Sequence, residues 1–454
     1  MLTHTANEDA SRFSFWRRVR EYAVPPSMIE TATARRLAGD WAGACAAANV
    51  EVDFRLRDVA HTHGHTLAER VREDLRRLAP DLLRWHLPRT APAGLLRAGL
   101  TVPLARYPGE RPVHLVVRTP PAWAEYGQRI SLALWDGSDP GPAPHPHPRP
   151  SRRYRLDLHR HLWDAGRSGE LATRAGSCPP TGPPGTGIGS HGLRRAVDRW
   201  AAEAELLLRA EGLPPGPVAV RLGHSERLVL APDGRIGAAV GDLRALPLLP
   251  DAATWVPPDL DLLHSGELDA GRLHPLVAAA LAPGHRPGRQ DRPPAGQRLV
   301  ECRGARHRIA VVDGVLTALD HDPDQLRREE LLAALSGTPL PCLRAIDQAH
   351  RDPAELDDVR ERLNHGDTAG ALAVVEDLLG RQASLRDGPL RDELAATAER
   401  RVAYGLYRSG LTVDGRAKAV AGRTSYALYR FGRPSHLRGG YPFPRPPRIA
   451  TTAR

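Results

Sequence analysis

Gly192-Leu-Arg-Arg-Ala-Val-Asp-Arg-Trp-Ala-Ala-Glu-Ala-Glu-Leu-Leu-Leu-Arg-Ala-Glu-Gly212 is the segment with the clearest helical pattern in this chain. Its apolar residues recur at steps of three and four and therefore occupy one face of a helix. They are Leu193, Val197, Trp200, Ala201, Ala204, Leu207 and Leu208. The oppositely charged pairs Arg199–Glu203 and Glu205–Arg209 lie four residues apart on the other side. We expect the apolar face to pack on a sheet.

Strand-like segments lie on both sides of this helix. They alternate apolar with polar residues, and Asp-Gly pairs stand between several of them, which is typical of antiparallel strands joined by tight turns. The segments are Leu100–Leu104, Val113–Val117, Ile130–Leu134, Val218–Leu222, Leu228–Ala231, Ile236–Val240, Leu299–Cys302 and Ile309–Leu319. The pattern predicts an α+β fold, with a central antiparallel sheet and a covering helix, flanked by N- and C-terminal helical units.

Helical patterns and changes in composition divide the chain into consecutive parts. Capping-box sequences at Ser27–Glu30 and Thr66–Glu69 begin early helices, and apolar residues at helical spacing resume from Asp324. The predicted parts are an N-terminal extension (1–24), a small helical unit (25–90), a mixed α+β body (91–322) with Pro/Gly-rich loops at 137–152 and 175–192, a C-terminal helical unit (323–432) and a basic Pro/Arg-rich tail (433–454).

One short pattern occurs twice. Arg36-Leu-Ala-Gly-Asp-Trp-Ala-Gly-Ala44 is similar to Arg362-Leu-Asn-His-Gly-Asp-Thr-Ala-Gly-Ala371, and both predict a helix, a Gly-Asp turn and a second helix. Solenoids of the tetratricopeptide type need several consecutive units of about 34 residues. Two hairpins near opposite ends of the chain do not predict such an array.

The composition is that of a globular protein with an arginine bias. Of the 454 residues, 41% are hydrophobic and 26% are charged, which is enough for a large buried core. Lys418 is the only lysine among the 63 basic residues, a bias typical of a very GC-rich genome. Arginine content alone therefore does not indicate phosphate binding, and the net charge of +10 favours anionic partners only weakly.

Cysteine usage and hydropathy bear on cofactors and compartment. Four cysteines lie far apart without a C-x-x-C pair; they are Cys45, Cys178, Cys302 and Cys342. This spacing predicts neither a zinc ribbon nor a disulfide framework, so we expect small buried thiols and no cofactor. No apolar run reaches the roughly 18 residues of a membrane span, and the first ten residues lack a signal pattern. We therefore expect a cytoplasmic protein without a membrane partner.

Three motifs approach known nucleotide or hydrolase sites and depart from them at decisive residues. Gly182–Ser190 resembles the phosphate loop of ATPases, yet Ile188 replaces the lysine that contacts phosphate. Gly187–Gly192 fits G-x-G-x-x-G, but no strand precedes it as in dinucleotide-binding folds. Val218–Ser225 resembles the nucleophile elbow of α/β hydrolases, but Arg227 replaces its second glycine. None of the three predicts a ligand.

A histidine triplet is the strongest candidate metal site in the sequence. His61-Thr-His63-Gly-His65 resembles the H-x-H-x-D-H cluster of metallo-β-lactamase-like hydrolases, without its aspartate. It also lies between predicted helices instead of following a strand. A metal held by His61, His63 and His65 is one hypothesis, and an exposed turn is the other.

The C-terminal tail has the most distinctive charge pattern. From Gly415 to Arg454 there are nine basic residues, interleaved aromatic side chains and no Asp or Glu. Arginines on phosphates and aromatic rings on bases are typical of single-stranded nucleic-acid binding. The same residues also suit packing on an acidic face of the body, or docking on an acidic protein. The candidate contacts are Arg433, Arg438, Tyr441, Phe443, Arg445 and Arg448.

No motif combines a nucleophile or metal cluster with the supporting residues that catalysis needs. The sequence therefore predicts a non-enzymatic interaction or accessory protein with an unknown protein partner. The first alternative is a nucleic-acid-associated protein that acts through the tail. The second is a hydrolase with a metal at the histidine triplet.

Overall fold

A computed structural model describes residues 13–137, 145–176, 193–223, 226–238, 243–285, 298–302, 304–336 and 340–411. These residues form an α+β fold, which confirms the predicted class. Their strands belong to four small sheets instead of gathering into one central sheet. No helix within these ranges is both long enough and apolar enough to cross a membrane.

The largest sheet lies in the N-terminal half. Its strand order is β1-β6-β5-β4, formed by β1 (Val50–Val52), β4 (Thr101–Tyr107), β5 (Val113–Arg118) and β6 (Ile130–Trp135). Strands β4, β5 and β6 form the predicted antiparallel meander, and β1 joins β6 in parallel. A short ladder of β2 (Arg89–Thr90) and β3 (Leu95–Leu96) lies apart from it. Leu104, Leu115 and Leu132 are fully buried in the main core.

Helices of the N-terminal half bury their apolar faces in the same core. They are α1 (13–22), α2 (Pro26–Leu37), α3 (Trp41–Ala47), α4 (Leu56–His63), α5 (His65–Arg77) and α6 (Pro80–His86). Val71 and Leu75 of α5 and Leu82 and Leu83 of α6 are fully buried, as the spacing of apolar residues on these helices requires. Four short helices follow later in the chain: α7 (Leu171–Arg174), α9 (Asp251–Thr254), α10 (Pro258–His264) and α11 (Pro275–Leu281).

A buried ion pair connects α1 to α10. Arg20 donates from Nε and Nη2 to the two carboxylate oxygens of Asp259 at 2.7 and 2.8 Å. Trp85 Nε1 donates to the same carboxylate at 3.2 Å. Because both charged side chains are almost fully buried, these hydrogen bonds satisfy charges that water cannot reach.

The central helix covers a smaller sheet of its own. α8 (Trp200–Glu211) packs on β7 (Val218–Arg221) and β8 (Arg227–Leu230), which continue into β9 (Ile236–Ala238) in an antiparallel sheet. Trp200, Ala204, Leu207 and Leu208 are buried in its core, as predicted. The strands before and after α8 pair with their hairpin neighbours, so the two sides of the helix contribute to separate sheets.

Three features of α8 depart from its sequence pattern. Ala201, predicted on the buried face, is exposed. Residues 197–199 form a 3-10 turn before the helix, so Val197 leaves the buried stripe and is 45% exposed. Glu203, expected on the solvent side, is buried in contact with Arg174, Arg199 and His159. Burial alone raises the pKa of Glu203, but hydrogen bonds from His159 and Arg174 hold it well below its usual value. The predicted surface pair is thus part of an internal ion-pair cluster.

A second set of strands and helices forms the C-terminal part. An antiparallel sheet of β10 (Arg298–Cys302), β11 (Ala305–Val312) and β12 (Val315–Ala318) precedes five helices. These are α12 (Pro323–Ser336), α13 (Pro341–Arg351), α14 (Leu356–His365), α15 (Thr368–Leu379) and α16 (Pro389–Arg408). Ile309 and Leu316 from the sheet share a core with Ile346, Val359 and Leu379 from the helices.

Both Gly-Asp patterns form the predicted helical hairpins, α2–α3 and α14–α15. Asp40 and Asp367 each accept a hydrogen bond from the backbone N–H three residues on, at 2.8 and 2.9 Å, and thereby cap the second helix. The preceding residues, Gly39 and Gly366, have φ values of 78° and 87°, a region that favours glycine.

Candidate metal centre and apolar helix face

Three potential metal ligands meet in the C-terminal core. Cys302 is the last residue of β10, His321 lies in the turn between β12 and α12, and Cys342 lies in the first turn of α13. One donor atom from each lies within 4.8 Å of the other two. Thiolate sulfur and imidazole nitrogen are the donors typical of zinc sites. This group is the candidate metal centre.

Local structure explains where the two thiols lie. Strand alternation turns Cys302 into the core and leaves Leu299 59% exposed. Pro341 occupies the first position of α13, which suits its fixed φ, and Cys342 follows it directly. Both thiols are fully buried, whereas His321 is half-buried and lies nearer to solvent.

Burial controls the protonation of Cys342. It raises the pKa of this thiol to about 11, and a hydrogen bond with Cys302 acts in the same direction. Without a metal, Cys342 is therefore protonated at neutral pH. A cation that binds its sulfur must displace this proton.

A second imidazole adjoins the group. His307 in β11 stacks on His321 with ring centroids 4.3 Å apart and an interplanar angle of 11°. Within the antiparallel register His307 pairs with Val300, two residues from Cys302. Its Nδ1 is buried and has no hydrogen-bond partner within the described part of the chain. A second imidazole thus lies directly beside the cluster, outside the group of three donor atoms that converge within 4.8 Å.

Asp320 fixes the turn that carries His321. Its carboxylate accepts hydrogen bonds from the backbone N–H of Arg308 and from Nη2 of the same residue, both at 2.7 Å. These contacts lower the pKa of Asp320 to about 2, so the pair stays charged at neutral pH. Asp320 therefore acts as a positioning residue for the turn, with its oxygens occupied by Arg308.

The structure does not bring the three predicted histidine ligands together. His61 and His63 lie in the last turn of α4, and His65 begins α5; all three are exposed. Gly64 separates the two helices with a φ of 90°. Within the described ranges, only Cys302, His321 and Cys342 form a group of three or more such residues with converging donor atoms. The hydrolase alternative gains no support from this arrangement.

Two of the motifs rejected as ligand sites, and the candidate contacts of the tail, lie wholly or partly outside the described residues. They are the Gly182–Ser190 loop, the Ser225 position of the elbow-like motif, and the tail candidates Arg433, Arg438, Tyr441, Phe443, Arg445 and Arg448. Sequence reasoning missed the cysteine and histidine group, because its members are about twenty residues apart and match no short metal motif. The predicted 299–319 hairpin was the available signal, since it places Cys302 at a strand end.

A surface cleft of about 710 Å³ lies between α5, the end of β4 and the end of α8. Several of its charged residues are paired with one another. Arg155 bonds to Asp157 at 2.8 Å and also to Glu211, and Arg160 contacts Asp74. Arg155 and Arg160 are thus satisfied by carboxylates of the cleft itself.

Helix α12 presents an apolar row to solvent. Leu331, Leu332 and Leu335 are 68%, 55% and 87% exposed, and we refer to them as the leucine face. Residues three and four positions apart lie side by side on a helix, so Leu335 adjoins both Leu332 and Leu331 and the three side chains form a continuous patch. Soluble proteins rarely leave such patches open without a role in binding.

Comparison with known proteins finds no match, whether among protein families, curated proteins or solved structures. Function must therefore be inferred from the chemistry of the chain itself.

Proposed function

We propose that this protein acts without catalysis, by binding another protein through the leucine face of α12. The observation that supports the proposal is the exposure of Leu331 and Leu335, which lie four residues apart on one helical face. Burying a leucine side chain contributes about 1.5–3 kcal/mol, so these side chains would supply a large part of the free energy of binding a partner helix.

The charges beside the leucine face indicate the chemistry of the partner. Residues 327–330 are Arg-Arg-Glu-Glu, directly before the leucines, and carry no net charge. A strongly acidic or basic partner gains little from such a surface. The surface fits a partner helix with apolar residues four positions apart and mixed charges at its flanks.

The test compares a double substitution with a matched control. Wild-type protein, Leu331→Asp/Leu335→Asp and Leu37→Asp are used to purify partners, and the partner identified with the wild type is then produced in pure form. Leu37 is suitable because it is 74% exposed at the end of α2, on another part of the surface. We expect isothermal titration to show at least about tenfold weaker binding for the double variant, roughly 1.4 kcal/mol, and no change for Leu37→Asp.

Two outcomes would contradict this proposal. One is equal affinity of the purified partner for the wild type and the double variant. The other is a wild-type dimer in sedimentation experiments that becomes monomeric in the double variant. A second copy of this chain would then be what occupies the leucine face.

The alternative function is nucleic-acid binding by the tail. It rests on the nine basic residues and the interleaved aromatic side chains between Gly415 and Arg454. A chain that ends at Gly432 should then lose affinity for single-stranded RNA or DNA in moderate salt, and the full chain should show steep salt dependence. Equal binding by both chains would remove the tail from this hypothesis.

A further inference from the structure

We propose that Cys302, His321 and Cys342 bind one Zn²⁺ ion and that His307 completes its coordination. The site would be structural, with four protein ligands and no open position for a substrate. It lies outside the leucine face and does not depend on the proposed partner.

The three donor atoms need to move only a short distance to bind a metal ion. Around tetrahedral Zn²⁺, with Zn–S near 2.3 Å and Zn–N near 2.1 Å, donor atoms lie roughly 3.4–3.8 Å apart. The three donor atoms already lie within 4.8 Å of one another, so movements of about 1 Å or less bring them to the metal. His307 would have to rotate out of its stack on His321 to reach the ion.

The charge balance also suits zinc. Each thiol loses a proton to solvent as its sulfur binds the ion, and the two imidazoles bind in their neutral form. Two thiolates then neutralise the two positive charges of Zn²⁺. Both sulfurs are fully buried, and burying a neutral complex costs much less free energy than burying a charged one.

Packing alone does not account for this arrangement. Buried cysteines often serve as small apolar side chains, as Cys45 of α3 does in the N-terminal core. Apolar packing does not require an imidazole nitrogen beside two sulfurs. It also leaves the buried Nδ1 of His307 unsatisfied within the described residues, whereas a bound ion would satisfy it.

The ion would link elements that are distant in sequence. It would connect the ends of β10 and β12, the middle of β11 and the start of α13. His321 lies two residues before α12, so the metal would also fix the base of the helix that carries the leucine face.

Metal content of the full-length protein tests the proposal. Protein purified from zinc-supplemented cells should contain about one zinc per chain by elemental mass spectrometry. Cys302→Ser and Cys342→Ser should lose it. Cys45→Ser, which changes an equally buried cysteine elsewhere, should retain it. A variant with His61, His63 and His65 all changed to Ala should also retain it, which excludes opportunistic binding at the exposed triplet.

The two histidines provide variants that do not disturb the sulfur core. His321→Asn and His307→Asn should each weaken Zn²⁺ binding at least about tenfold in competition with a chelating dye, while circular dichroism stays that of the wild type. Cobalt-substituted wild type should show thiolate charge-transfer and tetrahedral d–d absorption. His307→Asn with unchanged affinity would remove His307 from the ligand set.

Three results would overturn the site as a whole. The first is full zinc content in either cysteine variant. The second is reduced wild-type protein that contains no zinc and binds none in titration. The third is an intact mass two daltons below that of the reduced chain, with loss of both thiols, which would assign the two cysteines to a disulfide.

Discussion

Arg84, in α6, connects three distant parts of the chain from within the interior. Its guanidinium donates to the carbonyl oxygens of Ala23 at 3.1 Å, Gly127 at 3.3 Å and His365 at 2.6 Å, and also to that of Gln128. The side chain is fully buried, which lowers its pKa to about 10, so it remains charged at neutral pH. The planar guanidinium of Arg84 thus binds backbone carbonyl oxygens from three separate parts of the chain.

Replacing Arg84 should strongly destabilise the folded protein. Arg84→Met fills similar space but leaves several carbonyl oxygens without donors in the dry interior, so we expect a loss of about 3–5 kcal/mol in the free energy of unfolding. Urea denaturation followed by circular dichroism measures it. The exposed Arg35→Met serves as the control and should cost less than about 1 kcal/mol. Similar midpoints for the two variants would show that Arg84 is dispensable.

At the scale of the element, α8 is fixed to its sheet by one aromatic residue. Trp200 is 1% exposed, packs with the strands of the small sheet and donates from Nε1 to the carbonyl oxygen of Thr254 at 3.1 Å. Gly212 ends the helix in the left-handed conformation, as the pattern predicts. Trp200 therefore holds the N-terminal end of α8 in place, and Gly212 ends the helix at its C-terminus.

Trp200→Ala should destabilise the protein by roughly 3–5 kcal/mol, because it removes a large buried side chain and leaves a cavity. Leu206→Ala on the same helix is the control, since Leu206 is 39% exposed, and it should cost well under half as much. Thermal unfolding measures both. A melting temperature that Trp200→Ala leaves unmoved would mean that α8 contributes little to the fold.

At the scale of the whole molecule, the last described helix returns to the N-terminal sheet. Tyr407 of α16 packs edge-on against Trp123, with ring centroids 5.7 Å apart. Arg408 donates from Nε to Glu51 of β1 at 2.8 Å. These contacts, with those of Arg84 to the α14–α15 turn, join the two ends of the described chain.

Buried histidines should make the whole fold sensitive to acid. Burial, with nearby arginines acting in the same direction, lowers the pKa of His161 and of His365 to about 2. The unfolded chain takes up these protons below about pH 6.5 while the folded chain does not, so stability is lost as pH falls from 6.5 towards 2. The two residues together give a slope of about 2.7 kcal/mol per pH unit.

Urea titrations at pH 6.5, 5.5 and 4.5 test this expectation. His365→Gln removes one of the two groups and should reduce the slope by about 1.4 kcal/mol per pH unit relative to the wild type. Parallel pH profiles for the two proteins would contradict the assignment of His365 as a neutral buried histidine.

Features that depend on neighbouring residues were predicted from the sequence, whereas a contact with a distant segment was missed. The helix stop at Gly212, the burial of Trp200, Ala204, Leu207 and Leu208, and both Gly-Asp hairpins follow from local rules, and the structure confirms them. The burial of Glu203 was missed, because its partners Arg174 and His159 come from an irregular segment with no readable pattern.

Sequence patterns were enough to predict the fold class, the main buried residues of α8, the Gly-Asp turns and the Asp40 cap, and the turns and cap depend only on near neighbours in the chain. The capping boxes predicted at Ser27 and Thr66 were wrong, because both residues lie inside their helices and make no cap hydrogen bond. The division of the described strands into four sheets became visible only in the tertiary structure, since pairing between distant strands leaves no local mark. The tertiary structure also decided that Cys302, His321 and Cys342 meet, and that Arg84 joins three segments. Such contacts depend on how elements pack in space, and the spacing of residues along the chain does not record it.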